Sequence, residues 1–411
     1  MSASPRARES RDLAGGATRT RIPALTGLRA VAALLVVGTH AAFATGALNH
    51  GYLGAIYARL EVGVAIFFAL SGFLLFRPWV IAATTASAAP SPARYGRHRF
   101  RRIMPAYVIA VLATFTVYTV FNPGPNPGQT WYGLLRYLTL TQIYTDNYLV
   151  TLLHPGLSQM WSLAVEAAFY AALPALAWLL LRRADRPSVV LVRLAATAAV
   201  APVWLIVANT TGLLPNSAGM WLPAHIACFA GGMALAVLAV IGTRWRAGMT
   251  LPVAATLYLA VATPIGGAII GHDPAWVPIS KALLYAGIAM LVVGTAVLAP
   301  ANAYTYVLSS RPLVWLGEIS YEIFLLHVVV MAVVMAVVLR WPFFTGSLTT
   351  LYLVTLAVTI PLAWALHRFT SSRSAGTSNV NARPRCDAAS FSSAVSSAAV
   401  RVEPAGMKTG S

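Results

Sequence analysis

The sequence predicts an all-α bundle of about ten transmembrane helices with both termini in the cytoplasm. Three observations support it: composition, the number of apolar runs, and the placement of basic residues. Of 411 residues, 58% are hydrophobic and only 10% charged, with a mean hydropathy of +0.71, whereas a soluble domain carries roughly 25% charged residues. So much apolar surface cannot be hidden in one core, which excludes a water-soluble globular enzyme. The formal charge of +18 would suggest nucleic acid in a soluble chain, but here the basic residues sit between apolar runs. No aromatic-interleaved basic patch supports a nucleic-acid partner.

Apolar stretches of the roughly 20 residues needed to cross a 30 Å hydrocarbon layer lie near 22–46, 62–83, 103–121, 160–181, 189–208, 219–241, 251–271, 278–299, 313–339 and 349–368. With the N-terminus inside, Arg94, Arg97, Arg99, Arg101, Arg102, Arg182, Arg183, Arg186, Arg244, Arg246 and Arg311 fall on the cytoplasmic side. The opposite loops hold Arg59, Arg136 and Arg340. This asymmetry sets the orientation and points to a multi-pass protein of the plasma or inner membrane. The first run resembles a signal peptide, but Arg29 within it argues against cleavage.

The remaining segments frame this unit. Residues 1–21, basic and without apolar periodicity, read as a disordered cytoplasmic arm, and 370–411, rich in Ser, Ala and Arg, as a disordered cytoplasmic tail. The long outer loop 122–159 opens with the helix-breaking NPGPNPG and continues as WYGLLRYLTLTQIY, whose aromatic and apolar content suits an interfacial helix. Cys228 and Cys386 show neither metal spacing nor a disulfide framework.

Ionisable residues at membrane depth are costly and mark functional sites. Those in the runs are Arg29, His40, Glu61, Glu166, Lys281, Glu318, Glu322 and His327; for Arg77 and Arg102, near helix ends, snorkelling is an equally good account. Arg29 and His40 are eleven residues apart, which puts them within about 20° on one helix face and about 16 Å apart along the axis. Imidazole suits proton transfer near neutral pH, although an intramembrane His can equally be tied to a neighbouring helix. Glu166 falls at a depth similar to His40 and is expected to stabilise the imidazolium. Ser71 and Gly72 interrupt bulky side chains, as helix-packing residues do. No ligand cluster implies a metal.

Five blocks in order, IPALTGLRAVAALLVVGTH, GVAIFFALSGFLLFRPW, RHRFRRIMPAY, WSLAVEAAFYAALP and LGEISYEIFLLH, resemble the integral-membrane acyltransferase 3 family over about 22–369. The Arg followed by ten residues and His, here Arg29 and His40, is the most specific element. The resemblance implies transfer of an acyl group, usually acetyl from acetyl-CoA, to a hydroxyl of a carbohydrate, glycolipid or macrolide. It implies His40 as the catalytic histidine with Arg29 engaging the donor. Ser71 and Gly72, then Arg101 and Arg102, Trp161, Ser162 and Glu166, and Ser320, Tyr321 and His327 match its other blocks. Acyl-CoA would be a donor substrate, with no permanently bound cofactor. No fused outer hydrolase-like domain is expected, which favours direct acylation of an envelope glycan or glycolipid. A cavity crossing most of the bilayer would bring the thioester to His40, acting as general base or as a transient acyl carrier. The competing reading, a proton-coupled transporter using His40, Glu166, Glu318, Glu322 and His327, would call for repeated halves that the motifs do not show.

Overall fold

The computed structural model describes residues 22–121, 126–145, 153–267, 273–299 and 301–380, the last nine as backbone only. The expected arm 1–21 and most of the expected tail lie outside the described residues. All regular structure among them is helical. In chain order the helices are α1 (Pro23–Ala44), α2 (Gly51–Ala58), α3 (Val62–Thr84), α4 (Pro92–Val120), α5 (Trp131–Leu138), α6 (Trp161–Leu181) and α7 (Pro187–Thr210). They continue as α8 (Leu222–Val240), α9 (Ala247–Val261), α10 (Trp276–Leu298), α11 (Ala303–Leu308), α12 (Arg311–Glu318), α13 (Ser320–Val333) and α14 (Leu348–Val380).

Nine helices among the described residues are long and apolar enough to cross a membrane, so the protein is a multi-pass membrane protein. The expected seventh segment, 251–271, forms the shorter α9, which ends just before Thr263 and Pro264 start a 3₁₀ turn. The expected ninth run, 313–339, is broken at Ile319 into α12 and α13. There Ser320 Oγ donates to Gly317 O at 2.8 Å, so a hydroxyl takes up a carbonyl freed where the helix stops. Residues 334–338 extend α13 as one π turn. Prolines open α1, α4 and α7 at the first turn, where the missing N–H costs no bond. Pro78, Pro105, Pro174, Pro202 and Pro361 lie inside spans, where neighbouring helices can satisfy the freed carbonyls.

Burial separates centre from rim. The spans containing α1, α3, α8 and α13 are each 61% buried over their apolar windows, whereas α7 and α14 are 22% buried. The latter two therefore present most of their surface outward to lipid. The centre is held by small residues. A Cβ on Gly72 would lie 2.2 Å from Phe229 O, and one on Gly232 would lie 2.0 Å from Ala69 O. Helices α3 and α8 thus cross backbone to backbone, and without a hydrophobic force between helices in lipid this close packing is what holds them. Phe229 stacks on Phe169 at 4.0 Å and on Phe68 at 4.6 Å beside the crossing.

The interfacial helix expected over 131–144 is shorter, because Leu140 takes a positive φ of 58° and ends it in a turn. Its exposed Trp131, Tyr132 and Leu135 lie opposite buried Gly133 and Tyr137. It is fastened through His154. The Gly156 N–H donates to His154 Nδ1 at 3.1 Å, so Nε2 carries the proton and donates to Gln129 Oε1 at 2.7 Å. The ring is flanked by Phe115 and Tyr118, and burial lowers its pKa from 6.5 to about 4.

Two outcomes follow from this packing. Gly232→Ala should lower the thermal midpoint of the protein in detergent, by about 1–3 kcal/mol of stability, the usual range for an overpacked core. Because His154 has a folded pKa below its unfolded one, its contribution is complete above about pH 6.5 and is lost as the pH falls towards 4. Amide exchange at Gly156, corrected for its intrinsic pH dependence, should therefore quicken across that window, and should do so less in His154→Gln.

Candidate active site

Helix α1 carries Arg29 and His40 on one continuous helix, and both side chains are half-buried. Around them the remaining polar residues form two groups, one at each end of the helix.

At the His40 end the imidazole is oriented by its own helix. His40 Nδ1 lies 2.8 Å from Val36 O, one turn back, and 3.4 Å from His327 Nε2. His327 Nδ1 lies 2.9 Å from Phe324 O and 3.2 Å from Ile323 O. A carbonyl can only accept, so both rings carry their proton on Nδ1 when neutral. His327 Nε2 is then an acceptor facing the His40 Nδ1–H, and the His40 Nε2 lone pair is left for a substrate. The rings meet edge to face, with centroids 5.0 Å apart. Should Nε2 take a proton, the Nδ1–H remains bonded to acceptors and the imidazolium is stabilised without a carboxylate.

His40 lines a cavity of about 380 Å³ together with Thr39, Arg59, Glu61, Trp161 and Lys281. Neither Arg29 nor Glu166 lines it, so this cavity does not cross most of the bilayer as the sequence suggests. Glu61 accepts from Lys281 Nζ and, at 2.9 Å, from Tyr285 OH. Arg59 is buried; its Nε donates to Val261 O at 2.9 Å and its Nη2 to Gly267 O at 2.6 Å. The 3₁₀ segment Pro155–Met160 closes another side, and Gln159 Nε2 donates to Leu325 O at 2.9 Å to hold it against α13.

Glu166 belongs to the other group. Its Oε1 accepts from Ser71 Oγ and from Tyr170 OH, and its charge is felt by Arg29 and Arg99. The sequence places it beside the imidazole because the span is taken to begin near the membrane surface. Instead Trp161, the first residue of α6, already lies in the cavity wall. Glu166 is five residues, about 7.5 Å, further along, and shares the electrostatic surroundings of Arg29. The carboxylate that shares the electrostatic surroundings of His40 is Glu61.

The other residues singled out by sequence divide between the groups. Ser71 joins Glu166, and Gly72 is the helix-crossing residue described above. Arg102 shares the surroundings of Arg29, and Arg101 and Arg102 are both exposed near the start of α4. Ser162 is buried and donates to Gln159 O at 3.2 Å, which fixes the start of α6. Ser320 closes the break between α12 and α13. Tyr321 donates to Ile103 O at 3.1 Å and shares the electrostatic surroundings of Glu166 and Tyr170. Only Trp161 and His327 of this set join His40. Five arginines, Arg94, Arg97, Arg99, Arg101 and Arg102, lie in the first turns of α4, which has no acidic residue in its first turn. Cations there oppose the helix dipole, and Arg99 Nε is buried without a hydrogen-bond partner; both features suit a site for anions.

Sequence reasoning left Glu61, Lys281 and Arg59 out of the site, although the first two stand out as charges in apolar runs. Their positions near the starts of α3 and α10 put them at the same end as His40, a depth argument that would have found them. Also passed over was His225, a titratable residue within the run 219–241, whose buried Nε2 has no partner and whose ring lies 5.0 Å from Trp161.

The model of the acyltransferase domain matches residues 22–368. The chain belongs to the acyltransferase 3 family. It is 23% identical over 321 residues to the peptidoglycan O-acetyltransferase OatA of Listeria monocytogenes, a match covering 75% of this chain and 49% of that protein. It is 33% identical over 159 residues to the acyltransferase MdmB of Streptomyces mycarofaciens, covering 38% of each. The matches thus span half or less of the length of these relatives. No solved structure matches.

Histidine labelled with ¹⁵N should show His40 with a protonated Nδ1 and a lone pair on Nε2 at neutral pH. The reverse tautomer would remove the base from the cavity.

Proposed function

We propose that this protein moves an acyl group, acetyl in the first instance, from acyl-CoA to a hydroxyl of a cell-envelope glycan or glycolipid in the plasma membrane, with both chain termini on the cytoplasmic side. The observation that carries the reading is His40 Nε2, free of backbone bonds and open to a cavity, on the same helix as Arg29. The family and the printed name of the Listeria relative support acyl transfer.

In the proposed reaction the acceptor hydroxyl gives its proton to His40 Nε2 as its oxygen bonds to the thioester carbonyl carbon. The tetrahedral intermediate collapses with cleavage of the C–S bond, and the proton returns to the departing thiolate of CoA. His327 is a positioning residue: its Nε2 keeps the His40 Nδ1–H in place while charge develops. Arg101, Arg102 and Arg29 would meet the phosphates of the donor at the other end, where Arg pairs well with phosphate. The rise from Arg29 to His40, about 16 Å, is of the order of a pantetheine arm. Ser71, Glu166 and Tyr170 would brace that path.

The test compares envelope glycans and lipids by mass spectrometry in cells lacking the protein and in cells restored with wild type or His40→Ala at matched expression, fed labelled acetate. One species should lose its acetyl mass in the deletion and regain it with wild type. His40→Ala should lower the acetylation rate by about 10²–10⁴-fold, the range for loss of a general base. Full restoration by His40→Ala would remove His40 from the chemistry, and an unchanged envelope in the deletion would remove the acceptor class.

A further inference from the structure

The pair Glu61–Lys281 opens onto the cavity that holds His40. Arg59, in the same lining, is 5% exposed at its side chain, donates to two backbone carbonyls and lies 4.0 Å from Glu61 Oε1, while Glu322 is 7% exposed and its partner His367 35%. Glu61 and Lys281 are 39% and 32% exposed and both line the cavity that holds His40. An ion pair kept open at membrane depth forgoes the shielding that a purely structural pair would use.

Its spare hydrogen-bonding capacity is specific. The bonds from Lys281 and Tyr285 both fall on Glu61 Oε1, which leaves Oε2 as an acceptor. Lys281 gives one of its three N–H donors to Glu61 and lies 5.6 Å from the Tyr285 ring centroid, which leaves two donors. The wall thus offers one anionic acceptor next to cationic donors, with the Trp161 ring in the same lining. Neighbouring hydroxyls on a ring complement this arrangement: one donates to the carboxylate and the next accepts from the ammonium. A simple alcohol uses its only hydroxyl at His40 and has none left for the pair.

We propose that Glu61 and Lys281 form the acceptor subsite and select a vicinal diol of a sugar ring while a further hydroxyl of the same ring is presented to His40. This rests on the acyl-transfer reading of the site. A cavity of about 380 Å³ is within the usual range for a small-ligand pocket.

The experiment uses the full chain in lipid nanodiscs with labelled acetyl-CoA and two acceptors of equal chain length, octyl β-glucoside and octanol. Wild type should favour the glucoside by at least about tenfold in kcat/KM, since a site built to hydrogen-bond hydroxyls rejects an analogue that lacks them. Glu61→Gln, Lys281→Met and the double variant should each bring the ratio close to one, mainly through a raised KM for the glucoside. The double variant is decisive because it leaves no orphaned charge. Recovery of the wild-type ratio in the double variant would make the pair a neutralised structural contact and overturn the proposal, as would an unchanged ratio in all three. If wild type acetylates both acceptors without preference, the subsite falls while acetyl transfer stands. Acetylation of neither by wild type would remove the acetyl-transfer reading and the subsite with it.

Discussion

Polar atoms carried to membrane depth must find their partners inside the protein, because hydrocarbon supplies none. The arrangement around His40 follows from that constraint. Helical carbonyls of Val36, Ile323 and Phe324 already accept bonds within their helices, and each retains a second lone pair. The two imidazoles draw on those lone pairs, so their tautomers are set by the backbone of the helices that carry them. The result is an imidazole held in a fixed orientation, with its Nε2 lone pair left free of backbone bonds.

The same constraint separates the two polar groups along α1. Glu166 shares the Arg29 end with Arg99, Arg102 and Tyr321, where its oxygen is satisfied by Ser71 and Tyr170. Glu61 and Lys281 share the His40 end. Between them α1 packs closely against α3, where a Cβ on Gly63 would lie 2.4 Å from Ala32 O. Helix-to-helix contact at small residues therefore holds the rigid helix that sets their separation. On the proposed function, an anionic donor head and a neutral acceptor are handled about 16 Å apart by one helix that has no need to move.

Much of this was legible beforehand. Apolar length locates the helices, since it expresses the thickness of the bilayer directly. The spacing of Arg29 and His40 also survives, because within one helix the geometry is set by 1.5 Å per residue. The reading failed where a helix does not start or stop at the membrane surface. The segment Pro155–Met160 folds into the cavity wall, which shifts Glu166 away from His40, and α12 ends inside an apolar run that hydropathy alone treats as continuous. Both departures depend on a partner elsewhere in the chain: the carbonyl of Leu325 for Gln159, and the close approach of Gly317 to Thr26.

By itself, then, the sequence determined the all-helical multi-pass class, the family, and the residue types that could carry the chemistry, because each is written in local length, spacing or motif. Only the tertiary structure decided which of those residues meet. His327 reaches His40 from 287 positions away, Lys281 reaches Glu61 from 220, and Ser71 reaches Glu166 from 95. Contacts at such separations are set by how helices cross, and the crossings depend on small residues such as Gly72 and Gly232 meeting particular carbonyls, a match no single segment encodes.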